Sequence, residues 1–283
     1  MSAEKPILGM IAGNGILPLI VARSAKVSGY KVCCVGLKHQ YVDSLPHECD
    51  VFAQAGMAKV GKWVRLLRKW GVHDAVMFGG VGKTVMHDTF RLIRMLPDTK
   101  GLLLWYRRLR HDRRDATVLA AVADELQQSG VTLIDSTTHI SEHLAGVGTL
   151  GSIEPTSKQA NDIAFGWPLL AQTTSLHIGQ TIAVREGDVL AVEAIEGTES
   201  LIDRAGSLCK RKGWTLLKTA ATDHDMRADV PSIGVNTIQQ VANAGCGCIA
   251  VGSGKVILLD APQVIQAANN AGIALFGVEN HCG

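Results

Sequence analysis

Short apolar runs that stop at glycine and alternate with helix-spaced segments are the strongest constraint in this sequence. Ile7–Ala12 is one such run, ended by Gly13-Asn14-Gly15 and followed by a helical pattern from Pro18 to Ser28. Lys31–Gly36 is a second, with Gly29 placed to end the helix before it. Asp74–Phe78 is a third, stopping at Gly79-Gly80, after a helical stretch Lys62–Trp70 closed by Gly71. A helix over 115–128 and a strand over 131–134 continue the series. Strand–helix alternation predicts an α/β fold with a Rossmann-like, doubly wound parallel sheet, and it predicts ligands at the carboxyl ends of the strands.

From residue 140 the texture turns polar and small. The reading is an N-terminal Rossmann-like domain over 1–140, a linker over 141–148, and a C-terminal mixed α/β domain over 149–283. In the second half, a helix over 157–172 precedes a hairpin-like pair, Thr181–Arg185 and Val189–Ala194. A helix from Glu199 to Lys210, a strand Trp214–Lys218 and a polar loop Thr222–Pro231 come next. A helix over 237–244 and two strands about Gly252-Ser253-Gly254 follow, then a last helix and strand.

Composition narrows the function classes. The 283 residues suffice for two cores, and a net charge of +2 with 5% aromatics gives no platform for nucleic acid. No run approaches the ~20 apolar residues needed to span a bilayer, and the N-terminus lacks the features of a signal peptide. Seven cysteines in no disulfide or zinc spacing read as small buried hydrophobes in a reducing compartment, so the cytoplasm is expected. Ten scattered histidines form no metal-binding pair.

Gly13-Asn14-Gly15 sits between a strand and a helix, where backbone N–H groups and the helix dipole can receive phosphate. It does not complete a dinucleotide fingerprint: Pro18 stands where the last glycine belongs, and Lys38-His39 where an acidic residue would hold a ribose. A nucleotide contact without NAD and a purely structural turn both remain open. Gly82-Lys83-Thr84 echoes a P-loop but lacks its first glycine. The arginines from Arg107 to Arg114 suit a solvated face, anionic lipid or substrate phosphate.

Two later segments gather chemistry. In Glu193-Ala-Ile-Glu196-Gly197-Thr198, a carboxylate and a hydroxyl flank a glycine at a strand end. This suits an anion–metal assembly, or simply a helix cap. In Asp223-His-Asp225-Met-Arg227-Ala-Asp229-Val-Pro231, an extended chain would place Asp223, Asp225, Arg227 and Asp229 on one face. Cleaving a pyrophosphate needs a cation against the phosphates, Arg227 or Mg²⁺, and a base or metal to position water. Carboxylates suit Mg²⁺. A solvated loop with a local salt bridge is the plainer alternative.

Gly9–Pro18, Val192–Thr198 and Arg227–Gly234, in that order, resemble the UDP-2,3-diacylglucosamine pyrophosphatase family that is unrelated to the calcineurin-like enzymes. The resemblance covers essentially the whole chain. It implies two α/β domains, Mg²⁺ dependence, and cleavage of a lipid-linked UDP-sugar to UMP and 2,3-diacylglucosamine 1-phosphate in lipid A synthesis. It puts the family's essential aspartate, within R-x-D-x-P, on Asp229 and its E-G-T element on Glu196, Gly197 and Thr198. His224 lies where members often carry Gln, and the Gly79–Lys83 turn lacks the family's proline.

The combined expectation names Asp229 and Arg227 as catalytic, and Asp229, Glu196 and Asp225 as Mg²⁺ ligands. It assigns Gly13, Asn14, Gly15, Gly80, Gly197 and Thr198 to substrate. A transient contact with the inner-membrane surface and a homodimer are compatible with it. A nucleotide-sugar transferase or a non-catalytic nucleotide-sugar sensor is the competing reading.

Overall fold

The computed structural model describes residues 5–78, 97–104, 106, 115–227 and 230–279. In the first half, β1 (Ile7–Ala12), α1 (Leu17–Val27), β2 (Lys31–Leu37), α2 (Leu45–Glu48), β3 (Val51–Ala55), α3 (Val60–Lys69) and β4 (Asp74–Phe78) follow in order. Then come α4 (Thr99–Leu104), α5 (Asp115–Gln128) and β5 (Thr132–Leu133). The five strands form one sheet in the order β3-β2-β1-β4-β5, with every pairing parallel. The strand order reverses between β1 and β4, as in doubly wound sheets.

The pattern of the strands explains this. Leu8, Met10 and Ile11 of β1 and Val32, Cys33, Cys34 and Val35 of β2 are all buried. Both faces of a parallel sheet are covered by helices, so its strands are apolar throughout rather than alternating. Helix α3 supplies one cover: Val60, Trp63, Val64 and Leu67 recur at helical spacing and all are buried in one core. The strand Val51–Ala55 went unread in the sequence because Gln54 interrupts its apolar run.

In the second half, β6 (Gly148–Thr149), α6 (Ser157–Ser175), β7 (Thr181–Arg185), β8 (Asp188–Val192), α7 (Gly197–Leu208) and β9 (Trp214–Lys218) are followed by β10 (Ser232–Ile233) and α8 (Val235–Asn243). β11 (Cys246–Gly252), β12 (Ile257–Leu258), α9 (Ala261–Asn270) and β13 (Ala274–Val278) complete it. A six-stranded mixed sheet runs β6-β13-β11-β9-β7-β8, in which β9, β11 and β13 are mutually parallel. The expected hairpin β7–β8 is present. Helix α6 starts with a capping box, Thr156 with Gln159. Trp214 is fully buried, and its indole N–H donates to Ala244 O at 3.1 Å.

The two runs about Gly252-Ser253-Gly254 do not pair with each other. Gly254 adopts a left-handed φ of 68°, and the chain leaves the sheet, so β12 pairs instead in parallel with β10.

Contacts divide the chain into two compact units. The first holds the described residues up to Ile140 together with Asp225–Arg227; the second takes Ser141–His224 and the described residues from Val230 onward. Residues 141–148 are structured: Ser141–His143 form a 3-10 turn, and Ala145 N donates to Val256 O at 2.9 Å.

Candidate functional site

The first unit presents the glycine loop where the topology says a ligand should bind. Gly13 N donates to Phe78 O at 2.7 Å, which ties the loop to the end of β4 across the switch point between β1 and β4. Asn14 turns back to accept from Gly15 N at 2.8 Å. Gly15 has φ 100°, a conformation that side-chain-bearing residues rarely adopt, and a Cβ there would meet nothing within 4 Å. Gly80 lies outside the described residues, as do Arg107–Arg114.

Part of the acidic loop of the second half, Asp225–Arg227, belongs to this same unit. Ser136, just past β5 and 1% exposed, donates both its N–H (3.0 Å) and its hydroxyl (2.5 Å) to Met226 O. Asp225, Met226 and Arg227 are thereby docked on the carboxyl edge of the sheet that also carries Gly13–Gly15. The loop is not extended as expected. Asp225 Oδ1 accepts from Arg227 N at 3.0 Å, an Asx-type turn that brings the two side chains together.

Arg227 then grips Asp225 with Nε (2.9 and 3.0 Å) and a terminal nitrogen (2.6 Å). The hydrogen bond to Asp225 pushes the Arg227 guanidinium further up, with smaller support from the charges of Asp225 and Asp124. The result is a permanent cation with its counter-ion on a half-exposed loop. Asp229 lies outside the described residues.

In the second unit a buried polar network sits where β8 and β9 end and α7 begins. Glu193 is 6% exposed and Lys218 5%. Thr198 Oγ1 donates to Glu193 Oε1 at 2.8 Å and accepts from Lys218 Nζ at 3.1 Å. Gln180 N approaches Glu193 Oε2 at 3.3 Å, and the Thr181 hydroxyl lies 3.4 Å from that of Thr198. The sheet register makes this convergence: Thr181 and Lys218 face each other across β7 and β9. Gly197, with φ 84°, turns the chain into α7, so Thr198 serves this network rather than a helix cap.

Glu196 faces elsewhere and is paired with Arg204 at 3.0 Å. Sequence reasoning singled out the segment but weighted Glu196 over Glu193 and passed over Lys218. A lysine closing the run Trp214–Leu217, apolar but for Thr215, was the available signal.

The strand ends here are closely packed. A Cβ on Gly252, at the end of β11, would clash with Thr219 Oγ1 beside it at the end of β9. Lys255 Nζ donates to Ala221 O at 3.1 Å, fixing the chain between β9 and the acidic loop. Gly252→Ala is therefore expected to destabilise the protein by about 1–3 kcal/mol, as overpacking does. Denaturant unfolding would measure it, and an unchanged midpoint would mean that Thr219 simply rotates away.

Among the described residues no three His, Cys, Asp or Glu side chains gather as a metal cage. Mg²⁺ typically needs none, since one or two carboxylates and substrate phosphate oxygens complete its shell. In this structure both carboxylate oxygens of Asp225 are engaged by Arg227. Burial pushes the thiol of Cys246 up to about 12 and raises those of Cys33, Cys34 and Cys248, so these cysteines act as packing groups. No helix among the described residues is long and apolar enough to cross a membrane.

Comparison with known proteins adds to this geometry. The chain matches the LpxI N-terminal domain over residues 7–143 and the LpxI C-terminal domain over residues 146–276. It is 31% identical over 280 residues to the UDP-2,3-diacylglucosamine pyrophosphatase LpxI of Caulobacter vibrioides, covering 96% of this chain and 97% of that one. Among solved structures, a Rhizobium etli pyruvate carboxylase aligns with a TM-score of 0.29 at 10% identity, over 64% of this chain and 15% of that one. The biotin carboxylase subunit of a pyruvate carboxylase aligns with a TM-score of 0.26 at 12% identity, over 74% and 42%. The chain thus spans less than half the length of these two structures, and likeness at that level carries no argument. With both domain models matched in order along nearly its whole length, the chain belongs to the LpxI family.

Proposed function

We propose that this chain hydrolyses the pyrophosphate bond of UDP-2,3-diacylglucosamine, releasing UMP and 2,3-diacylglucosamine 1-phosphate, as a step of lipid A biosynthesis. The observation that carries the reading is the near full-length relationship to a pyrophosphatase of that name. A sensor or transferase lacks such support.

The arrangement suits the chemistry. Gly13, Asn14 and Gly15, with Gly80 after β4, would hold the nucleotide side at the switch point, where backbone N–H groups favour phosphate. Arg227 would meet the charge that develops on the phosphates, and its bidentate fork suits phosphate as well as carboxylate. Asp229, two residues on, would position the attacking water. Gly197 and Thr198 would contact substrate as the E-G-T element of the family implies. Asp225 and Asp229 would hold Mg²⁺, which when bound neutralises phosphate charge. A cytoplasmic protein that touches the inner-membrane surface suits a substrate with two acyl chains.

Incubating the protein with UDP-2,3-diacylglucosamine in detergent with Mg²⁺ should release UMP. Chelation should abolish release, and added Mg²⁺ should restore it. No UMP from well-folded protein would defeat the assignment, and undiminished release in excess chelator would defeat the metal's part in it.

A further inference from the structure

We infer that Ser136 is a positioning residue for the hydrolysis: it touches no substrate, and it fixes the Met226 carbonyl so that Arg227, the next residue, keeps its place at the carboxyl edge of the first sheet. This deepens the functional reading above and rests on it, through the role given there to Arg227.

The first ground is the attachment itself. The bonds between Asp225 and Arg227 fold the loop on itself. Those from Ser136 reach across 90 residues of sequence and fasten the loop to the turn after β5. One donor already gives a carbonyl a partner. Two donors from one residue, the N–H at 3.0 Å and the hydroxyl at 2.5 Å, take up both lone pairs of Met226 O and so fix its direction as well as its distance.

The second ground is the rigidity of the holder. Asp135 Oδ1 accepts from Thr137 N and from the Thr137 hydroxyl, each at 2.7 Å, and the Thr138 hydroxyl donates to Asp135 O at 2.8 Å. Ile140 N closes the turn on Thr137 O at 2.9 Å. Ile134 N donates to Ala75 O at 2.9 Å, which carries the β4–β5 pairing up to the turn. Ser136 and Thr137 are both buried. A group that aims another must itself be locked by packing and outer hydrogen bonds, and this one is.

The third ground is charge. Helix α5 of the same unit also acts on the loop, since Asp124 adds its negative charge to that of Asp225 in raising the Arg227 guanidinium. The cation thus has a preferred seat on this unit, and a loop that swung off Ser136 would carry it away from that seat.

UMP release from UDP-2,3-diacylglucosamine with Mg²⁺, by wild type, Ser136→Ala, Arg227→Met and the double variant, tests the assignment. Ser136→Ala keeps the N–H bond, so Met226 O retains a partner and the unfolding temperature should stay close to wild type. Its kcat should fall about tenfold, within the loss that a misplaced reacting group brings, while KM changes less than about twofold. In the Arg227→Met background the same change should cost less than about twofold, because residues that act as one unit are not additive. An undiminished kcat overturns the assignment. So does a loss that appears in KM instead, or a full tenfold loss in the Arg227→Met background.

Should Ser136→Ala not fold, Ser136→Cys, which keeps the volume and offers a weaker donor, should lower kcat in the same sense; a wild-type kcat there overturns the assignment equally. The two readings fail separately. In ¹⁵N-arginine-labelled protein the Nε–H signal of Arg227 should move or broaden on Ser136→Ala, whether or not the protein hydrolyses anything. A moved signal in a protein that releases no UMP sinks only the hydrolase reading. An active enzyme whose Arg227 signal is indifferent to Ser136→Ala sinks only this one.

Discussion

Asp229→Ala is expected to lower UMP release by about a thousandfold, within the range that a positioned proton-transfer group supplies, while the fold and substrate binding stay close to wild type. The expectation joins two observations. Asp229 lies two residues beyond Arg227 in Arg-Ala-Asp-Val-Pro, and Arg227 is fixed on the carboxyl edge of the first sheet by the docking of Met226 against Ser136. Thermal unfolding measured alongside checks that the fold is kept. Single-turnover kinetics at saturating substrate is the cleanest measure. A variant that turns over near the wild-type rate would move the site away from this loop.

Arg227→Met should cost about a hundredfold in kcat/KM, the scale of losing one preorganised charge donor in an active site. Its stability cost should be no more than about 1 kcal/mol, because the Arg227 and Asp225 side chains are 37% and 35% exposed and exposed pairs contribute little. The two scales separate the readings: a loop that only makes a salt bridge would lose the small term and none of the large one. Arg227→Lys should recover part of the rate, since lysine keeps the charge but not the planar fork. The guanidinium is pushed further up by Asp225 and stays protonated through neutral and alkaline pH, so a fall in rate there would belong to another group. A Met variant as active as wild type would remove Arg227 from the chemistry.

Local pattern carried most of the fold because parallel strands buried on both faces announce themselves as unbroken apolar runs. β1 and β4 have the expected bounds for that reason, and β7 and β9 because their runs are buried too, although β7 pairs antiparallel with both its neighbours. β3 was lost because Gln54 breaks its apolar run, and β10 and β12, two residues each, pair through contacts that no periodicity encodes. The site was legible as residue types and hidden as geometry. Asp225 and Arg227 stood out as acid and base two apart, but the bond from Ser136 to Met226 joins residues 90 apart in sequence. Glu193 and Glu196 look alike on paper; one is buried against Thr198 and the other is captured by Arg204 from within α7. Which carboxylate meets which partner is decided by tertiary packing.

The return of Asp225–Arg227 to the first unit means that the polypeptide passes from one unit to the other more than once. A protease cut at residues 141–148 would leave the first unit still holding Asp225–Arg227 of the downstream piece. Expressing the two halves as separate genes at that boundary would strip the first sheet of a loop it recruits from downstream, so sequence-defined modules and self-sufficient folding pieces need not coincide in this chain.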